Sequence, residues 1–100
     1  MKYLHTMIRT ANLDKTLDFF INRLGFVELR RYNNNAAKFT LVFICAEDDF
    51  KNAEKEKSPV IEITYNWPDD KGNIENITNG RAFGHVAYRV DNIYDYCQKL

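Results

Sequence analysis

Three segments of this chain each set a side chain that can bind a metal ion four residues from one that can grip an anion or an amide. They are His5 with Arg9, Glu62 with Asn66 and, in reverse order, Arg81 with His85. Side chains on a β-strand alternate faces, so positions i and i+4 share a face and stand about 13 Å apart, at roughly 3.3 Å per residue. Brought together, the three pairs make two nodes. One is a His5/Glu62/His85 metal site; the other is a polar clamp of Arg9, Asn66 and Arg81 for the far end of an elongated ligand. Two neutral imidazoles and a carboxylate oxygen are a borderline donor set, suiting nickel, cobalt, zinc or iron better than calcium. Glu62 is flanked by Val60, Ile61, Ile63 and Thr64, where an unpaired buried carboxylate would be costly. A lone strand histidine is ordinarily no ligand. The second histidine at an equivalent place, together with the carboxylate, tips the reading toward a metal.

The elements that must position these residues follow from periodicity. Residues 3–9 alternate, with Tyr3, His5, Met7 and Arg9 on one face and Leu4, Thr6 and Ile8 on the other, and predict a strand. Asn12 or Asp14 caps a helix whose apolar face is Leu13, Leu17, Phe20, Ile21 and Leu24, and Gly25 ends it. Strands are expected at 26–32, 37–45, 59–67 and 82–90, with a turn at Asn33, Asn34 and Asn35 and a second helix starting near Asp91. The mixed-charge run 46–58 reads as a solvated linker and 68–80 as a polar loop without a duty of its own. Tyr65, Trp67, Phe39, Phe43 and Phe83 are expected in the core.

This is an α+β order: a βαβββ module over 1–67, a linker over 68–81, and the start of a second module over 82–100. A shift of 80 residues lays His85 on His5, Arg89 on Arg9, Asn92 on Asn12, Ile93 on Leu13 and Cys97 on Leu17. The coincidence of these matches with the same strand-to-capped-helix order points to a duplicated module. On that expectation the second copy holds only its β and α and is cut in mid-helix at Leu100, leaving Tyr94 and Tyr96 short of packing partners and prone to drive association. A crossover helix followed by a meander leaves the first and fourth strands parallel. The fifth must then run antiparallel to both if Arg81 is to join Arg9 and Asn66, as when two pseudo-symmetric modules face each other across a cleft.

Composition removes other classes. Lys+Arg and Asp+Glu balance at 14 each, with no basic stripe, which argues against nucleic acid. No apolar run reaches the length of a membrane span, and the N-terminus enters a strand without the apolar stretch of a signal peptide. Cys45 and Cys97 lack CxxC spacing and read as reduced core thiols. A soluble cytoplasmic protein is expected.

The segments LHTMIR, LDFFINRLGF, VIEITYNW and AFGHVAYRV resemble those of the lactoylglutathione lyase (glyoxalase I) family of the vicinal oxygen chelate superfamily, and the resemblance runs along all 100 residues. It implies a divalent metal at a homodimer interface, built from two ligands of one chain and two of the other, with His5, Glu62 and His85 at three ligand positions. Arg9, Asn66 and Arg81 match positions that grip the γ-glutamyl end of glutathione. His5, where some eukaryotic relatives carry glutamine, looks like the bacterial form, often activated by nickel or cobalt; the length of the loop between Glu62 and His85 leaves zinc open. The implied reaction isomerises the methylglyoxal–glutathione hemithioacetal to S-lactoylglutathione, with Glu62 ligating the metal and assisting proton transfer. The family's fourth ligand and main base is a glutamate one repeat beyond Glu62, outside residues 1–100, so these residues alone are expected to be inactive. Two other readings stand beside this one. The first is a catalytically dead fragment or binding module of the same fold. The second is another metalloenzyme of the superfamily, such as a ring-cleaving dioxygenase, whose apolar aromatic substrate would not need the clamp.

Overall fold

In a computed structural model of the chain, which describes residues 1–99, every strand belongs to one sheet. β1 (Lys2–Thr10), β2 (Val27–Asn34), β3 (Phe39–Cys45), β4 (Val60–Asn66) and β5 (Phe83–Arg89) lie in the order β2-β3-β4-β1-β5. β1 and β4 are parallel; every other neighbouring pair is antiparallel. The fold is α+β, built on a βαβββ module. β5 hydrogen-bonds directly to β1, so the segment expected to face the first module across a cleft instead extends the same sheet. The expected cut at Leu100 lies outside the described residues.

The crossover helix packs on one face of the sheet. It opens as α1 (Leu13–Leu17), capped by Asn12, whose Oδ1 accepts from Lys15 N at 3.0 Å. It then widens into a π-helix over Asp18–Arg23. Leu17 joins Val42, Ile44 and Ile63 in the main core, with Phe20 and Ile21 against them. Leu24, expected on this apolar face, is 53% exposed. Its N–H bonds five residues back to Phe19 O, and the wider turn swings it off the stripe that regular α spacing predicts. Gly25, at φ +77°, then ends the helix, and Phe26 N closes the cap on Phe20 O at 2.8 Å.

The opposite face carries a second cluster of Phe43, Cys45, Ala53 and Val60. Ala53 belongs to α2 (Phe50–Glu56), entered through a 3₁₀ turn at Glu47–Asp49, so the run read as a solvated linker is a docked helix. Its apolar contribution is small but well spaced: Phe50 and Ala53, three apart, face the sheet and Ala53 is fully buried. Asn33 and Asn34, expected in the turn, finish β2 instead; the turn occupies 35–38 with Lys38 at φ +58°. Residues 68–78 contain no helix or strand, and a single turn of helix, α3 (Asn79–Ala82), precedes β5. α4 (Ile93–Lys99) follows β5. Phe83, expected in the core, is 55% exposed at the start of the edge strand, and Cys97, expected to be buried, is exposed on α4.

Candidate metal centre and polar clamp

Register brings the metal-capable residues together. Met7 pairs with Glu62 of β4 on one side and with His85 of β5 on the other, and His5 lies two residues before Met7 on the same face. Glu62 Oε2 is 2.9 Å from His5 Nε2 and 3.4 Å from His85 Nε2, and the two imidazole nitrogens are 2.9 Å apart. All three residues come from one chain. The structure therefore brings these three side chains together within one chain, rather than two from each of two subunits.

The chemistry of this trio suits a cation. Glu62 is buried, at 9% side-chain exposure, and its ion-pair partners among the described residues are the two histidines alone. A single proton on His5 Nε2 can face Glu62 or His85, not both. An ion held at about 2.1 Å by each donor would set neighbours about 3.0 Å apart at right angles and about 3.4 Å apart at tetrahedral angles. The observed separations span that range, so the residues fit a divalent metal. Burial pushes the His5 imidazole below its usual range; Glu62 opposes this in part, and His85 and Arg30 add to it. The neutral imidazole that a metal needs is thereby favoured. Phe43 sets its ring edge-on to His5 at 6.0 Å and carries the Arg30 guanidinium 3.9 Å above its face, which holds that charge on the same side of the sheet.

The clamp also assembles, by a different route from the one the sequence suggests. Arg9 Nη1 donates to the carbonyls of Arg81 (3.2 Å) and Phe83 (3.3 Å). Asn66 lies at the end of β4 on the Glu62 face. Arg81 is not on a strand: it sits in α3, whose first turn is capped by Thr78 Oγ1 accepting from Arg81 N. Strand spacing thus has no bearing on how Arg81 reaches the clamp.

Glu75, missed in the sequence, stands in the middle. Its Oε1 pairs with Arg81 Nε and its Oε2 accepts from Asn66 Nδ2 at 2.9 Å. The bond from Arg81, then that from Asn66, hold its carboxyl below the usual range, with Arg9 adding to the effect. In the sequence Glu75 was one acid among several in a polar loop. Asp69 is taken up by its own turn and Asp70 by Lys38, which leaves Glu75 to face the site.

Between the nodes lie Met7 and Thr64, each 8% exposed. Thr64 Oγ1 has no hydrogen-bond partner among the described residues. A Cβ on Gly84 would come within 2.3 Å of the Met7 thioether, so that glycine lets Met7 lie flat.

Residues 2–100 match the profile of the glyoxalase/bleomycin resistance protein/dioxygenase superfamily. A lactoylglutathione lyase of Neisseria meningitidis is 38% identical over 100 residues, covering all of this chain and 64% of that protein. One from Haemophilus influenzae is 41% identical over 100 residues, with 66% of its length covered. Among solved structures, the trypanothione-dependent glyoxalase I of Leishmania major superposes with a TM-score of 0.58 at 32% identity, over 79% of this chain and 51% of that one. The chain thus spans about two thirds of the length of the bacterial relatives.

Proposed function

The chain belongs to the glyoxalase/bleomycin resistance protein/dioxygenase superfamily, and from that premise we propose that it serves a lactoylglutathione lyase. The reaction is isomerisation of the methylglyoxal–glutathione hemithioacetal to S-lactoylglutathione. The observation that carries this reading is the pairing of two nodes on one sheet face: a convergent His5/Glu62/His85 donor set, and Arg9, Asn66 and Arg81 beyond Met7 and Thr64. An apolar aromatic substrate would leave that second node without a purpose.

His5, Glu62 and His85 would hold the metal, nickel or cobalt in preference to zinc, two imidazoles and a carboxylate being a donor set that suits such borderline ions. When bound, such an ion supplies Lewis-acid stabilisation of the negative charge that develops on substrate oxygens. Arg9 and Arg81 take the carboxylate at the glutathione tail by charge-assisted hydrogen bonds, with Asn66 beside them. Fixing the tail orients the reacting end. Glu62 Oε1, which makes no hydrogen bond among the described residues, is free to assist proton transfer between adjacent carbons. The protein works in the cytoplasm as a homodimer, and residues 1–100 alone supply three of the four metal ligands that the family resemblance implies. On this reading they bind metal and thioether conjugate.

The test titrates the 100-residue chain with Ni²⁺, Co²⁺ and Zn²⁺ and then with an S-alkyl glutathione. Metal binding that requires His5, Glu62 and His85, with conjugate binding lost in Arg9→Ala, is the expected result. A chain that binds neither metal nor conjugate overturns the reading.

A further inference from the structure

A clamp for a simple carboxylate would be cationic throughout, and this one is not. Glu75 brings a carboxylate to Arg81 and Asn66, and it comes from the irregular stretch between β4 and α3 rather than from the sheet. It is 27% exposed, so part of its hydration has been exchanged for these contacts. The node therefore holds two guanidiniums and one carboxylate side by side. A carboxylate has about four acceptor sites, and the protein uses two of those on Glu75. Both Arg81 Nη groups, and Arg9 Nε and Nη2, carry no hydrogen bond among the described residues. Unused donors and unused acceptors thus adjoin one another in this node.

The chemistry that matches such a node is an α-amino-acid terminus, which carries a carboxylate and an ammonium on one carbon. We propose that Glu75 determines specificity by accepting a hydrogen bond from the α-ammonium of the ligand while Arg9 and Arg81 take its α-carboxylate. This rests on the glutathione reading, because the γ-glutamyl end is a terminus of this kind. It goes further in assigning the ammonium a partner and in predicting that the loop of 68–78, through one side chain, screens ligands. The same geometry has a rival meaning: Glu75 could stand where the ligand carboxylate must go and act as a plug.

Calorimetric titration of the 100-residue chain with two probes separates these. One probe is an S-alkyl glutathione. The other is its deaminated counterpart, with a glutaryl group in place of γ-glutamyl. The unaltered chain should prefer the amino compound by roughly tenfold or more, the size of a charge-assisted hydrogen bond. Glu75→Gln, which keeps the shape and a contact to Asn66, should abolish that preference by weakening the amino compound alone. Equal weakening of both probes would mean that Glu75 only holds Arg81 and Asn66 in place, and overturns the proposal. Tightening of both would identify a plug, and also overturns it. If the unaltered chain binds neither probe, the glutathione reading fails and takes this inference with it.

Discussion

His5 and His85 are related by a local two-fold axis through the Thr6–Val86 pair. The flanking pairs, His5 with Ala87 and Met7 with His85, exchange when each strand is shifted onto the other by 80 residues. The symmetry sends both imidazoles toward the axis on one face, where their Nε2 atoms meet at 2.9 Å. It extends to the helix starts: Asn12 Oδ1 accepts from Lys15 N, and Asn92 Oδ1 from Asp95 N. Each of the two strand-to-helix segments thus donates one histidine to a shared axis.

Replacing either histidine should therefore have the same consequence. His5→Ala and His85→Ala each leave two donors, and each should weaken Ni²⁺ or Co²⁺ binding by more than about a hundredfold, beyond the loss typical of partners outside the coordination sphere. Metal titration of the three proteins checks this. Retention of tight binding by either variant removes that histidine from the donor set.

Acid should act through His5. Burial holds its folded-state pKa below the unfolded value of 6.5, so below that value the unfolded chain takes up a proton that the folded chain resists. The contribution is fully present above 6.5 and is lost as pH falls from there toward the lower folded value. Metal-free protein should show a falling urea midpoint between pH 7.5 and 5.5, and His5→Gln a shallower fall. Parallel profiles for the two proteins would contradict the assignment.

Much of this site was legible because strands are regular. Alternation alone placed His5 with Arg9 and Glu62 with Asn66, and the crossover rule gave the parallel β1–β4 pair. Where periodicity stops, so does the reading. Arg81 reaches the clamp from a one-turn helix, and Glu75 from a stretch with no repeat to follow. The docking of α2 rests on Phe50 and Ala53, too few apolar residues to stand out among Glu47, Asp48, Asp49, Lys51, Glu54 and Lys55. The π widening left no sequence trace, because Leu24 satisfies an α-helical stripe that the folded chain does not use.

Thr64 offers a stability test. Its hydroxyl is buried on the strand between Glu62 and Asn66 without a hydrogen-bond partner among the described residues. Thr64→Val keeps the shape and removes the desolvated group, so stability should rise by about 1 kcal/mol. A urea midpoint that falls instead would show that the hydroxyl is satisfied in the folded protein.

Gly84 constrains the floor between the two nodes. The register of β1 and β5 slips between Met7–His85 and Ile8–Phe83, leaving Gly84 as the extra residue of a bulge. A Cβ there would lie 2.2 Å from Met7 Cε, 2.3 Å from Sδ and 3.1 Å from the Met7 carbonyl oxygen. The thioether can swing away, since methionine has three flexible bonds, but the carbonyl belongs to the strand that carries His5 and Arg9. Gly84→Ala should thus cost about 1–3 kcal/mol, the range for overpacking a filled site. The part of that cost owed to displacing the thioether should vanish when Met7→Ala is made first, leaving the part owed to the carbonyl, a coupling that a double-mutant cycle on urea midpoints measures. An unchanged cost in the Met7→Ala background would locate the clash in the backbone instead, and a neutral Gly84→Ala would show that β5 does not press on Met7 at all.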